Sequence, residues 1–255
     1  MLLGIDLGNT NITIGVFEKN VLIGTFRMTT KQPRTSDEIG IFICDLLNQL
    51  NIETSQIEAV IVASVVPDMM YSLNSAIIKY FDKKPLIVSS DIFTGITVKT
   101  EQPGHLGADR LVDAAAAYAY YGGPVIVVDF GTATTYDVVL ADGSFVGGVI
   151  TPGLQTAANS LSDSTARLPK IAIEKPKNIL AKNTITSIQA GVVYGYIGQT
   201  EYIIKNLKKE ANVADIKVVA TGGLGAMIAQ ETDSIDYYDR DLTLKGLQFI
   251  YERNK

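Results

Sequence analysis

Apolar residues change their spacing in an ordered way along this chain of 255 residues. A short apolar run opens it and breaks at Asp6-Leu7-Gly8-Asn9-Thr10. An alternating run follows, then a turn at Asn20 and a third run. Alternation with period two, broken at Gly, Asn and Asp, marks strands joined by tight turns. The period then shifts. Over 36–50, Ile39, Ile43, Leu46, Leu47 and Leu50 recur at helical spacing, so an amphipathic helix is expected. A strand over 59–64 and a helix opening at Pro67 follow, the fixed φ of proline suiting a first helical turn. An alanine-rich helix is expected over 111–121, stopped by Gly122-Gly123-Pro124. Near the end come a long helix over 186–210, a strand over 216–221, and the turn Gly222-Gly223-Leu224-Gly225 leading into another helix.

The chain also resembles itself. Asp6-Leu7-Gly8-Asn9-Thr10 and Asp129-Phe130-Gly131-Thr132-Ala133 lie 123 positions apart, and the same offset pairs Val16 with Val139, Asn20 with Gly143 and Gly24 with Gly147. Each copy reads as three strands, then helix, strand and helix. Alternating strands and helices imply a mixed sheet flanked by helices. The expected fold is therefore α/β: two duplicated lobes of the actin-like (ribonuclease H-like) kind, residues 1–115 and 116–255, with an interlobe cleft onto which the first hairpins open. Asp6 and Asp129 are expected to face that cleft. Gly191, Gly195 and Gly198 lie on one face of the long helix, where a backbone could approach closely, from a dimer partner or from within the chain.

Composition narrows the chemistry. Hydrophobic residues make up 47% and no run of apolar residues reaches membrane-spanning length, so no membrane partner is expected. Lys and Arg number 22 against 27 Asp and Glu, a net charge of −5, which lacks the basic face that nucleic acid needs. Cys44 is the single cysteine and His105 the single histidine, so an internal disulfide and a His/Cys metal cluster are excluded. A reducing, cytoplasmic setting is expected. Chemistry is left to carboxylates, hydroxyls, backbone amides and bound ions.

Four segments offer these groups. The turn at 6–11 supplies a carboxylate, a glycine and short polar side chains; its amides and hydroxyls suit phosphate oxygens, and Asp6 beside them calls for a cation such as Mg²⁺. The turn at 129–135 supplies a second carboxylate, Asp129, and Thr132 directly after its glycine. The turn at 221–225 lies where a strand meets a helix, a place for a nucleotide base and ribose. Pro103-Gly104-His105-Leu106-Gly107-Ala108-Asp109-Arg110 leads into the helix over 111–121. Asp109 and Arg110 stand in its first turn, where unpaired amides and the helix dipole favour an anion. Asp109 is placed to accept a hydroxyl proton and Arg110 to hold an anionic group, with His105 near the pocket wall. Phosphoryl transfer to a small hydroxyl compound is the chemistry such a set suits.

Taken in order, DLGNTNIT, PGHLGADR, VVDFGTATTYDVV, GGVITPG and ATGGLG resemble the type III pantothenate kinase family over nearly the whole chain. The resemblance implies ATP-dependent phosphorylation of pantothenate, the first committed step of coenzyme A synthesis, by a homodimer needing Mg²⁺ and a monovalent cation, K⁺ or NH₄⁺. It puts ATP phosphates on Asp6, Leu7, Gly8, Asn9, Thr10, Asn11, Ile12, Thr13 and Thr132. It puts pantothenate on Gly107, Ala108, Asp109 and Arg110, with Asp109 as proton acceptor. Asp129 becomes the K⁺ ligand, Asp6 the Mg²⁺ partner, and Thr184 reaches substrate from across the dimer. One position departs: the family commonly has Tyr where this chain has Thr100, at the substrate pocket wall. Two other readings stay open here. One is a kinase for another hydroxyl metabolite such as a sugar, for which Thr100 leaves room. The other is a non-catalytic regulatory member, against which stand the intact Asp6, Asp109 and Asp129.

Overall fold

The computed structural model describes residues 1–30, 34–213 and 215–255. They divide into two compact units, one of Met1–Ile96, Glu101–Ala116 and Asp241–Lys255, the other of Thr97–Thr100 and Ala117–Arg240.

In the first unit, β1 (Leu2–Leu7), β2 (Asn11–Glu18) and β3 (Val21–Thr29) form an antiparallel meander. β4 (Ala59–Ser64) and β5 (Leu86–Ile87) extend it in parallel on the other side of β1, giving the order β3-β2-β1-β4-β5. Because successive strand residues point to opposite faces, Leu3, Ile5 and Leu7 join one core with Ile39, Ile43 and Leu47 of α1 (Ser36–Gln49) and Leu73 and Ile77 of α2 (Pro67–Phe81). Each such side chain, fully buried, is worth about 1.5–3 kcal/mol. α1 begins at a capping box, Thr35 with Glu38, that satisfies orphan amides at its start. The opposite face of the sheet is covered by α7 (Leu242–Asn254), whose Leu244 and Leu247 meet the glycine gaps at Gly15 and Gly4.

The second unit repeats the plan. β7 (Val125–Phe130), β8 (Ala133–Val139) and β9 (Ser144–Pro152) form the meander, and β10 (Lys217–Thr221) and β11 (Tyr237–Tyr238) extend it in parallel. β6 (Thr97–Val98) adds a sixth strand beyond β9, for the order β11-β10-β7-β8-β9-β6. α3 (Ala108–Tyr121) enters this unit at its last residues. α4 (Leu154–Ser164) and α5 (Thr184–Glu210) cover one face, with Tyr136 of β8 hydrogen-bonded to Thr200 of α5 at 3.0 Å in the interior. α5 starts two residues before the expected 186, because the Asn183 side chain accepts from the Thr186 amide at 3.0 Å and caps it. α6 (Gly225–Ala229) follows the glycine-rich turn.

Both sheets are mixed and flanked by helices, as the duplicated α/β fold requires. Two expectations are corrected. Residues 116–255 are expected as the second lobe, yet the closing helix α7 belongs to the first unit, where Leu242, Leu244, Leu247 and Ile250 are buried. The offset of 123 holds for β1 with β7 and β3 with β9 but not for β2 with β8. Leu7 pairs with Ile12, whereas Phe130 pairs with Thr134, so this strand is displaced by one position. The loop before β8 is one residue shorter and the turn after it longer. The counterpart of Val16 is therefore Val138, not Val139.

Candidate active site

The loop between β1 and β2, Gly8-Asn9-Thr10, is closed by the Gly8 amide donating to the Asn11 carbonyl at 3.0 Å. Thr30, at the end of the meander, holds it twice: its amide donates to the Thr10 carbonyl at 2.9 Å and its hydroxyl to the Gly8 carbonyl at 2.8 Å. Asn9 and Asn11 are exposed and Thr10 and Thr13 half-buried, so polar side chains ring the loop, while Leu7 and Ile12 point into the core. Asp6 is half-buried at the carboxyl end of β1.

The Gly107–Arg110 segment comes to the same end of this sheet. The Val65 amide donates to the Leu7 carbonyl at 3.1 Å, and Val65 lies 3.7 Å from where a Cβ on Gly107 would stand. That Cβ would also fall 2.6 Å from Asp109 Oδ1, so glycine lets the Asp109 carboxylate lie close against the backbone here. Asp109 Oδ1 accepts from the Arg110 amide at 2.7 Å, fixing the carboxylate over the first turn of α3. Gly107, Ala108, Asp109 and Arg110 are all half-buried. Ligand-binding crevices in open α/β sheets form outside the carboxyl ends of parallel strands, and β1 and β4 end here together, Leu7 beside Ser64.

The second unit builds its own version. The Gly131 amide donates to the Ala133 carbonyl at 3.1 Å, closing a loop of Gly131 and Thr132, both exposed. The Thr132 carbonyl accepts from the Gly153 amide at 3.0 Å and the Thr156 hydroxyl at 2.7 Å. Thr132 is thus the counterpart of Thr10, and Gly153 of Thr30. A Cβ on Gly153 would collide with the Gly131 carbonyl and stand 2.6 Å from that of Thr132, so no side chain fits. Beside the loop, half-buried Asp129 pairs in register with Thr221 of β10. Gly222 follows at φ +92°, the left-handed region that favours glycine, and a Cβ on it would stand 2.6 Å from Asp129 Oδ1. A Cβ on Gly131 would lie 3.0 Å from Oδ2. The two glycines therefore let the carboxylate pack closely against backbone on both sides. The oxygen chemistry of this carboxylate fits a hard cation. Among the described residues no group of three or more His, Cys, Asp or Glu is placed to hold a metal.

Thr184 is the exposed first residue of α5 and lines an open hollow of about 780 Å³ with Ser160, Leu161, Lys182 and Tyr196. Thr100 is half-buried just after β6, and His105 is exposed in the short helical turn Pro103–His105. Gly191, Gly195 and Gly198 are exposed, with no described atom within 4 Å of a Cβ on any of them. Thr30, Gly153, Thr156 and Val65 were not singled out from the sequence as site residues. The 123-residue offset pairs Thr30 with Gly153 and was the available signal.

The model of the family described as type III pantothenate kinase matches residues 2–206. A type III pantothenate kinase of Agathobacter rectalis is 53% identical over 253 residues, 99% of this chain and 97% of that protein. The chain belongs to the type III pantothenate kinase family. Its fold recurs in solved structures. A Campylobacter jejuni protein described as a Baf family transcriptional activator matches with TM-score 0.63 at 21% identity, over 99% of this chain and 98% of that one. A Sinorhizobium meliloti protein described as a 2-dehydro-3-deoxygalactonokinase matches with TM-score 0.61 at 13% identity, over 99% and 96%.

The family model spans both glycine loops and the start of α3, and it ends inside α5. The turn at Gly222 and the helix α7 lie beyond it, yet the relative from A. rectalis extends over both. Among the described residues no helix is long and apolar enough to cross a membrane.

Proposed function

We propose that this protein transfers the γ-phosphoryl group of ATP to the hydroxyl of pantothenate, giving 4'-phosphopantothenate, the opening step of coenzyme A synthesis. The observation that carries this reading is the meeting of the Asp6–Thr10 turn and the Gly107–Arg110 helix start at one sheet end, joined through Val65. Amides and hydroxyls of the segment from Asp6 to Thr13 hold ATP phosphates, and Thr132 is a further candidate phosphate ligand. The turn at Gly222 takes the base and ribose. Asp109 receives the acceptor proton, while Arg110 pairs with the carboxylate of pantothenate. Transfer of this kind depends on position and charge neutralisation more than on a strong base.

Asp6 holds Mg²⁺, directly or through water, and Asp129 a monovalent cation, K⁺ or NH₄⁺. These ions neutralise the charge that phosphates and carboxylates would otherwise oppose. The exposed glycine face of α5, with Ile179, Leu180 and Ile185 exposed nearby in sequence, supports a homodimer in which Thr184 reaches the partner's substrate. The cytoplasm, where ATP is available, is the setting. Thr100 favours a second reading, a kinase for another small hydroxyl compound. Incubation with Mg-ATP and either pantothenate or a panel of sugars, read by product mass, separates the two. Phosphorylated pantothenate alone is expected; a phosphorylated sugar with unmodified pantothenate would replace this reading by the second.

A further inference from the structure

The closing helix α7 grips the segment before the 101–110 loop and the helix after it. Near its end, Asn254 clasps the backbone of Phe93: its side-chain amide donates to the Phe93 carbonyl at 2.7 Å and its carbonyl accepts from the Phe93 amide at 3.1 Å. One turn earlier, the Phe249 ring packs where a Cβ on Gly95 would lie 3.2 Å away, and the Arg253 guanidinium covers that ring at 3.6 Å. Gly95 has φ +83°, so the segment is bent to this shape. Further back, Gly246 crosses α3 so closely that a Cβ there would stand 2.5 Å from the Val112 carbonyl and 3.1 Å from Ala116 Cβ. Val112 sits one turn below Asp109. All of these residues belong to the first unit.

We propose that α7 is a positioning element for the acceptor: Gly246 holds the start of α3, and Asn254 holds the segment at 93–96 that leads through β6 to the 101–110 loop, so that Asp109 and Arg110 meet the substrate in register. This rests on the assignment of pantothenate to that loop. The packing of α7 against β1, β2 and β4 is through Leu244 and Leu247, so Asn254 is not needed for the helix to dock. Residues far from the reacting atoms that misplace a group by an ångström can cost up to about a hundredfold in rate.

Asn254→Ala removes both hydrogen bonds to Phe93 and leaves the packing of Leu244 and Leu247 in place. Its kcat/KM for pantothenate should fall about tenfold, with ATP affinity measured without pantothenate unchanged. Asn254→Asp, which keeps the acceptor, should fall between the two. Gly246→Ala should give the same pattern from the other end of the loop. Hydrogen exchange of the intact protein reads the claim without substrate: Asn254→Ala should speed exchange at 93–96 and 101–111 and leave β1 and β4 as they were. Equal exchange at 101–111 in the two proteins, or ATP affinity lost in step with pantothenate, would overturn the proposal. A wild-type protein inactive on pantothenate would instead refute the substrate, and the exchange comparison would still decide the role of α7.

Discussion

The two glycine loops descend from one pattern and have parted in instructive ways. In the first unit, three residues, Gly8-Asn9-Thr10, are held by a threonine, Thr30, whose side chain reaches the Gly8 carbonyl. In the second, two residues, Gly131-Thr132, are held by Gly153, where a side chain would collide with backbone. The first loop keeps side-chain amides and hydroxyls around its rim. The second gives up the side chain at its holding residue, Gly153, for close backbone packing, and sets Gly131 and Gly222 closely against Asp129. A duplicated turn can thus keep its backbone hydrogen bonds while the residue that holds it changes from a threonine to a glycine.

The largest effect should come from neither loop. If the loops hold ATP and ions, acceptor activation belongs to α3, and Asp109→Asn should lose two to four orders of magnitude in turnover, roughly the worth of a positioned acid or base. ATP binding by calorimetry should survive. Turnover near normal would shift the acceptor chemistry back to a loop.

Next come the two holding residues. Gly153→Ala forces backbone apart at Gly131 and Thr132 and should cost about 1–3 kcal/mol in thermal or denaturant stability, the usual range for overpacking. Thr30→Ala loses one hydroxyl hydrogen bond, worth about 1 kcal/mol. Equal losses, or a larger one at Thr30, would break the contrast drawn between the loops.

Much of this contrast was legible in the sequence, and the limits are specific. Asp6 with Asp129 and Gly8 with Gly131 stand out because side-chain type and spacing coincide. The displaced register of β8 does not, because a residue lost before the strand and residues gained after it cancel, restoring the offset at β9. The roles of Thr30 and Gly153 were hidden because one acts through a hydroxyl and the other through the lack of a side chain. α7 was assigned to the wrong unit since its leucines predict burial but not against which sheet. Two-residue strands such as β5, β6 and β11 have no periodicity to read.

The smallest predicted effect lies at the far edge of the second sheet, beside β11. Tyr121 donates to the Asp239 carboxylate at 2.9 Å, and burial first, then that hydrogen bond, push its pKa up to about 12. The neutral phenol is the form the fold favours. Its contribution is therefore complete below the ordinary tyrosine value of 10.0 and is lost as pH rises from there through about 12. Tyr121→Phe should lower thermal stability slightly at neutral pH, and the gap to wild type should close above pH 10. A gap that widens with pH would reverse the sign.

The central claim, that the first loop serves ATP while Asp129 in the second serves a monovalent cation of a pantothenate kinase, is tested most directly by one coupled assay of ADP release. Wild type, Asp6→Asn and Asp129→Asn are each run with Mg-ATP and pantothenate, in K⁺ and again in Na⁺. The account predicts pantothenate-dependent ADP release by wild type that is high in K⁺ and low in Na⁺. Asp6→Asn should be slow but still stimulated by K⁺, and Asp129→Asn slow and indifferent to the salt. ADP release that ignores pantothenate, or an Asp129→Asn protein still stimulated by K⁺, would contradict it.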